Sequence, residues 1–135
     1  NVQSDNYDEL FGALDRALLD AATLPAAGGG TLADELVVVV LSEMGRHPRI
    51  NGRGGKEHWT WTSAMLAGAG VAGGQVLGGF EDTLAGSRVD LGSGLPHASG
   101  VGLLPGHLGA TLLALGDVDP GESLADTPPI AAVLA

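Results

Sequence analysis

The chain contains no cysteine. That excludes thiol nucleophiles, thiolate metal sites and disulfides, and it leaves the cellular compartment open. Basic residues are scarce, 6 against 16 acids, for a formal charge of −10. With so little positive charge there is no broad basic face, and general binding to a nucleic-acid backbone is not expected. No stretch approaches the roughly 20 apolar residues needed to span a bilayer. No signal peptide is visible, and the only methionines are Met44 and Met65. The chain is therefore expected to be a fragment or a processed product, with any export signal on a part not included here.

What is present is concentrated. The 135 residues suffice for one domain with a real core. Glycine is abundant, at 23 residues, and its entropic cost points to turns and close backbone approaches. Leu36-Val37-Val38-Val39-Val40-Leu41 is too apolar to face water. It fits a fully buried parallel strand, because branching at Cβ suits the pleat, although periodicity alone leaves a buried helix open. The run stops at Ser42-Glu43, and an acid just past the carboxyl end of a buried strand is where open α/β folds place their chemistry. Four of the six basic residues follow closely, namely Arg46, Arg49, Arg53 and Lys56. They form a local positive patch in a negative chain.

Around this segment the elements read as follows. Ser4 or Asp5 caps a helix to about Ala22, with Tyr7, Leu10, Phe11, Leu14, Ala17 and Leu18 on one stripe. Pro25 and Gly28-Gly29-Gly30 break it, and Thr31 with Asp34 and Glu35 marks a short turn before the strand. Trp61 to Ala67 reads as a second buried strand. Gly68 to Gly79 is turn-rich, and Phe80 to Gly100 is loop with a short pair around Arg88-Val89-Asp90. Pro105 starts a helix through Leu115 that Gly116 ends. Ile130 to Leu134 is either a strand or one helical turn.

Several residues could carry chemistry. Glu43 is a cation ligand, or else a cap or an ion pair to Arg46. Glu57-His58 sets a hard oxygen beside an imidazole nitrogen, a pair suited to zinc, manganese or iron, provided Gly54-Gly55 turns the backbone enough for both to reach one cluster. The bland alternative is a surface acid and a histidine packed on Trp59 or Trp61. Arg46 and Arg49 can clamp an anionic oxygen, with Arg53 and Lys56 as weaker versions. Asn51-Gly52 is first a turn and second a ligand. Gly68-Ala69-Gly70-Val71-Ala72-Gly73 matches a dinucleotide fingerprint, but Gly74, Gly78 and Gly79 argue against the helix that motif requires, so tight turns are expected. His97 and His107 are expected to be exposed or to cap a helix. No base is apparent beside Ser42, Thr60, Thr62 or Ser63.

The order Ser42-Glu43-Met44-Gly45-Arg46-His47-Pro48, Asn51-Gly52-Arg53-Gly54-Gly55 and Glu57-His58-Trp59 resembles the DUF1501 family of bacterial proteins of unassigned function. The likeness continues through Leu66 to Gly78, Ala110 to Gly116 and Pro129 to Ala135. The resemblance implies the alkaline phosphatase and sulfatase superfamily. On that basis residues 1–135 are a single partial domain, the carboxyl-terminal part of a three-layer α/β sandwich with a mostly parallel sheet and helices on both faces. It implies a metal-dependent phosphate or sulfate ester hydrolase, inactive without an amino-terminal part that holds the nucleophile. Glu43, Glu57 and His58 would bind a divalent cation (zinc, manganese, iron or calcium), and Arg46, Arg49 and Asn51 a small anionic substrate. The family pattern has Asp where Glu57 stands. The alternative is a non-catalytic binding or scaffold protein. A missing segment or chain is expected to complete the sheet, and a periplasmic or envelope location is expected.

Overall fold

The computed structural model describes residues 2–135. Helix α1, Val2–Ala21, runs through the amphipathic stretch and starts before Ser4 and Asp5, so neither is its cap. A single 3-10 turn at Leu32–Asp34 leads into the first strand. There the Asp34 carboxylate accepts the Thr31 N–H at 2.8 Å and the Thr31 hydroxyl at 3.0 Å. These bonds favour the charged form and hold the Asp34 carboxyl below the usual aspartate range.

Four strands follow. β1 is Val37–Leu41, β2 Gly45–Arg46, β3 His58–Trp59 and β4 Ala64–Gly68. β1 pairs antiparallel with β4, from Val37 opposite Gly68 to Leu41 opposite Ala64. β2 pairs antiparallel with β3, Gly45 opposite Trp59 and Arg46 opposite His58. The two pairs are nested, so the chain runs out along β1 and β2 and returns along β3 and β4. Between them residues 42–44 face residues 60–63, and the extra residue on the returning side shifts the register as a bulge does.

This arrangement corrects the expectation of a three-layer sandwich with a mostly parallel sheet. Among the described residues the sheets are two short antiparallel pairs. The reason lies between the strands. A parallel neighbour needs a crossover of a dozen or more residues, usually a helix. Residues 42–63 contain Asn51-Gly52 and Gly54-Gly55 and no helix, so the chain turns straight back. β1 is also less enclosed than its composition suggested, with Val39 37% and Leu41 56% exposed. The apolar stripe of α1 is open as well, Phe11 being 52% exposed. No described helix is long and apolar enough to cross a membrane.

The densest packing lies elsewhere. Helix α2, Pro105–Leu115, begins at its proline, and the His107 ring accepts the Leu104 N–H at 3.1 Å, capping the amino end. Thr111 is fully buried. Its hydroxyl donates to the His107 carbonyl at 2.7 Å and accepts the Ile130 N–H at 2.8 Å, which ties α2 to the carboxyl-terminal segment. Residues 130–134 form one 3-10 turn, Ala131–Val133. Gln75 donates to the Ala72 and Ala132 carbonyls at 2.7 and 2.6 Å, stitching the glycine-rich segment to that turn. Gly68 to Gly73 opens no helix and turns tightly at Ala69-Gly70. Val89 and Val101 exchange backbone bonds at 2.8 and 2.9 Å around a fully buried Val89 side chain.

Glycine is obligatory at the start of β2. A Cβ on Gly45 would lie 1.6 Å from the Trp61 carbonyl oxygen, whereas one on Gly52 would meet nothing within 4 Å. Gly45→Ala should cost on the order of 3 kcal/mol or more in urea unfolding, and Gly52→Ala should stay within about 1 kcal/mol of wild type. In a carboxyl-detected NMR titration, Thr31→Val should move the Asp34 midpoint up toward the ordinary value. Because its folded pKa is depressed, Asp34 contributes stability above its unfolded pKa and loses that contribution as pH falls through the folded one.

Candidate functional site

The hairpin end, residues 47–57, collects most of the polar groups singled out by sequence. The His47 N–H donates to the Glu57 carbonyl at 2.9 Å, which carries the β2–β3 ladder one step outward. Asn51 then organises the tip. Its side-chain oxygen accepts the Arg53 N–H at 3.0 Å and the Gly55 N–H at 2.9 Å, and its backbone N–H donates to the Gly55 carbonyl at 2.8 Å. Its amide nitrogen donates to the Glu57 carboxylate. Asparagine suits this task because one side chain both accepts and donates. Gly54, at φ +75°, supplies the left-handed residue the turn requires.

Directly opposed residues share a face of an antiparallel ribbon, and neighbours alternate. Arg46 and His58 are such a cross-strand pair. Gly45 and Trp59 share the other face. There the His47 ring meets Trp59 edge-on at 6.2 Å, and Trp59 lies against Phe80 at 4.7 Å. Glu57 and His58, being adjacent in extended chain, are directed to opposite faces, and the Glu57 carboxylate is already held by Asn51. Glu43 is exposed in the offset between β1 and β2. Thr62 donates to the Ser42 carbonyl beside it at 3.3 Å, and the Ser42 hydroxyl donates to the Met44 carbonyl at 2.9 Å.

The arrangement does not gather Glu43, Glu57 and His58 into one donor set. Among the described residues no group of three or more His, Asp or Glu side chains could hold a metal ion. Glu57 is held by Asn51 and His58 lies on the opposite face, so among the described residues these three side chains do not by themselves form a cation site. Arg46, Arg49, Arg53 and Lys56 are all exposed on the hairpin end, and Arg46 reaches the Lys56 carbonyl at 3.4 Å. The Arg49 backbone is fixed by its N–H donating to His47 Nδ1 at 3.1 Å. Ile50, 71% exposed, adds an apolar knob between them.

Sequence reasoning passed over His47, which orients both Arg49 and the Trp59 face. The signal was available: in an extended ribbon, residues two apart share a face, and His47 lies one step beyond the Gly45–Trp59 pair. Asn51 was read first as a turn residue, and that is its place.

Fold and loop together define a mixed α and β chain built on an antiparallel hairpin with a basic, asparagine-pinned end. The family model described as "Protein of unknown function (DUF1501)" matches residues 3–92, and the chain belongs to this family. The match takes in α1 from residue 3, the hairpin and the segment through Gly92, and it ends before α2. No curated protein and no solved structure matches the chain.

If Asn51 holds the loop as described, Asn51→Ala should destabilise the protein by about 1–2 kcal/mol. Hydrogen exchange at the Arg53 and Gly55 amides should accelerate, while exchange within β1 and β4 stays slow.

Proposed function

We propose that this chain is a non-catalytic binding component whose working surface is the basic hairpin, taking a small oxyanion such as a phosphate or sulfate ester. One observation carries the reading. Four of the six basic residues of a chain with formal charge −10 stand together on one loop that Asn51 fixes from within. Guanidinium groups match tetrahedral oxyanions with paired donors, and a preordered loop loses little entropy on binding. The bond from Asn51 holds the Glu57 carboxylate within the loop.

A second part of the proposal concerns β1 and α1. Exposed apolar surface on a strand and on a helix stripe marks an interaction face, and an unpaired strand edge accepts another strand. A further segment or chain that completes the sheet would cover both. A hydrolase reading belongs with that completed form, since the cross-strand pair of Arg46 and His58 offers a guanidinium and an imidazole on one face. In it the nucleophile and further donors for a divalent ion come from the completing segment. Arg46 and Arg49 bind the ester on the loop that Asn51 holds in shape, and the site faces the periplasm or envelope.

Titration with inorganic phosphate, followed by amide NMR, tests the first reading. Saturable shifts confined to residues 46–57 are expected, with a dissociation constant on the order of 1 mM that weakens as salt rises. Arg46→Gln and Arg49→Gln should each weaken binding roughly fivefold. Absence of saturable shifts would remove the binding reading. Hydrolysis of p-nitrophenyl phosphate that requires both added zinc or manganese and His58 would replace it with the catalytic one.

A further inference from the structure

Away from the hairpin, a cleft of about 240 Å³ is lined by Glu81, Ser87, Arg88, Pro96, His97 and Ala98. Its walls rest on hydrogen-bonded backbone. The Ser87 N–H donates to the Gly79 carbonyl at 2.9 Å, the His97 N–H to the Arg88 carbonyl at 2.9 Å, and the Glu81 N–H to the Ala85 carbonyl at 2.9 Å. Beneath them, Gly100 packs so closely on the Val89 backbone that a Cβ would lie 2.4 Å from the Val89 carbonyl carbon.

Two cleft side chains are oriented from behind. Arg88 Nε donates to the Gly100 carbonyl at 2.7 Å, which leaves the two terminal nitrogens as its outer edge. The Ser99 N–H reaches His97 Nδ1 at 3.3 Å, and the Ser99 hydroxyl lies 2.9 Å from the same atom. A backbone N–H can only donate, so Nδ1 is the acceptor and the neutral ring carries its proton on Nε2. Arg88 and His97, both solvent-exposed, thus line one shallow, open cleft, each with one nitrogen held from behind. Glu81 lines the same cleft, and among the described residues its carboxylate has no hydrogen-bond or ion-pair partner, Arg88 included.

Opposite charges that share a cleft without pairing leave room for a ligand that bridges them. We infer that this cleft binds a small zwitterion of the α-amino-acid type, its carboxylate on Arg88 and His97 and its ammonium toward Glu81. A simple dianion would meet the Glu81 charge, and a simple cation would meet Arg88. The volume lies below the roughly 300–1,000 Å³ of sites for drug-sized ligands, so the ligand has few heavy atoms. This site is separate from the basic hairpin and does not depend on the reading given to it.

Amide and side-chain NMR with glycine, acetate and methylammonium tests the inference. Glycine should give saturable shifts at Arg88 Nε, His97 and Gly100, with a dissociation constant on the order of 10 mM. Acetate should bind roughly fivefold or more weakly, and methylammonium should not saturate. Arg88→Gln should abolish glycine binding. Glu81→Gln leaves the Arg88 to Gly100 bond in place and should erase the preference for glycine over acetate. Acetate binding as tightly as glycine in the wild-type chain would overturn the proposal. So would glycine binding that survives Arg88→Gln, a preference that survives Glu81→Gln, or no saturable glycine shift up to about 50 mM.

Discussion

The pairing of β1 with β4 is the constraint on which the described structure rests. Once Val37 stands opposite Gly68 and Leu41 opposite Ala64, the chain between them must reverse within residues 42–63. That forces the nested β2–β3 pair, the register offset around Glu43 and the turn at Asn51. This pairing depends on glycine at position 68, and the nested pair on glycine at position 45. A Cβ on Gly68 would lie 2.0 Å from the Leu36 carbonyl oxygen, as one on Gly45 would press on Trp61. Residues with side chains at these points would push the strands apart and release the loop that carries the basic patch.

The ribbon also sorts the polar groups. Alternation along the strands sends Arg46 and His58 to one face and places Trp59, His47 and Phe80 on the other, where the rings pack. Adjacent Glu57 and His58 are thereby separated, although the sequence sets them side by side. With Glu57 bound to Asn51, the net effect is a hairpin that presents cations outward in a strongly anionic molecule. Long-range attraction of this kind depends on ionic strength and acts on encounter as much as on affinity.

Much of the local structure was legible. Pro105 and Gly116 bracketed α2, because a proline fits the first turn and a glycine the exit of a helix whatever the tertiary context. Thr31 with Asp34 marked the turn before β1, since the acceptor three residues on is within reach of the Thr31 N–H in any such turn. Asn51-Gly52 marked a reversal. What misled was the valine run. Its composition gave the strand correctly and its burial and partner wrongly, since apolarity on both faces states a demand for cover without naming what provides it. The parallel three-layer sandwich followed from that step and from a family resemblance. The chain does belong to the family, but the matched residues do not arrange themselves in that way.

The sequence alone determined the elements whose causes lie within a few residues: the α1 stripe, the two ends of α2, the turn at Asn51 and the clustering of basic charge between Arg46 and Lys56. Only the tertiary structure decided which side chains share a face, that Glu57 serves Asn51, and that Arg88, His97 and Glu81 line one cleft. The physical reason is range. Capping and turn formation are local hydrogen-bond problems, whereas strand direction, register and face depend on contacts between residues far apart in sequence, whose identity no local pattern specifies.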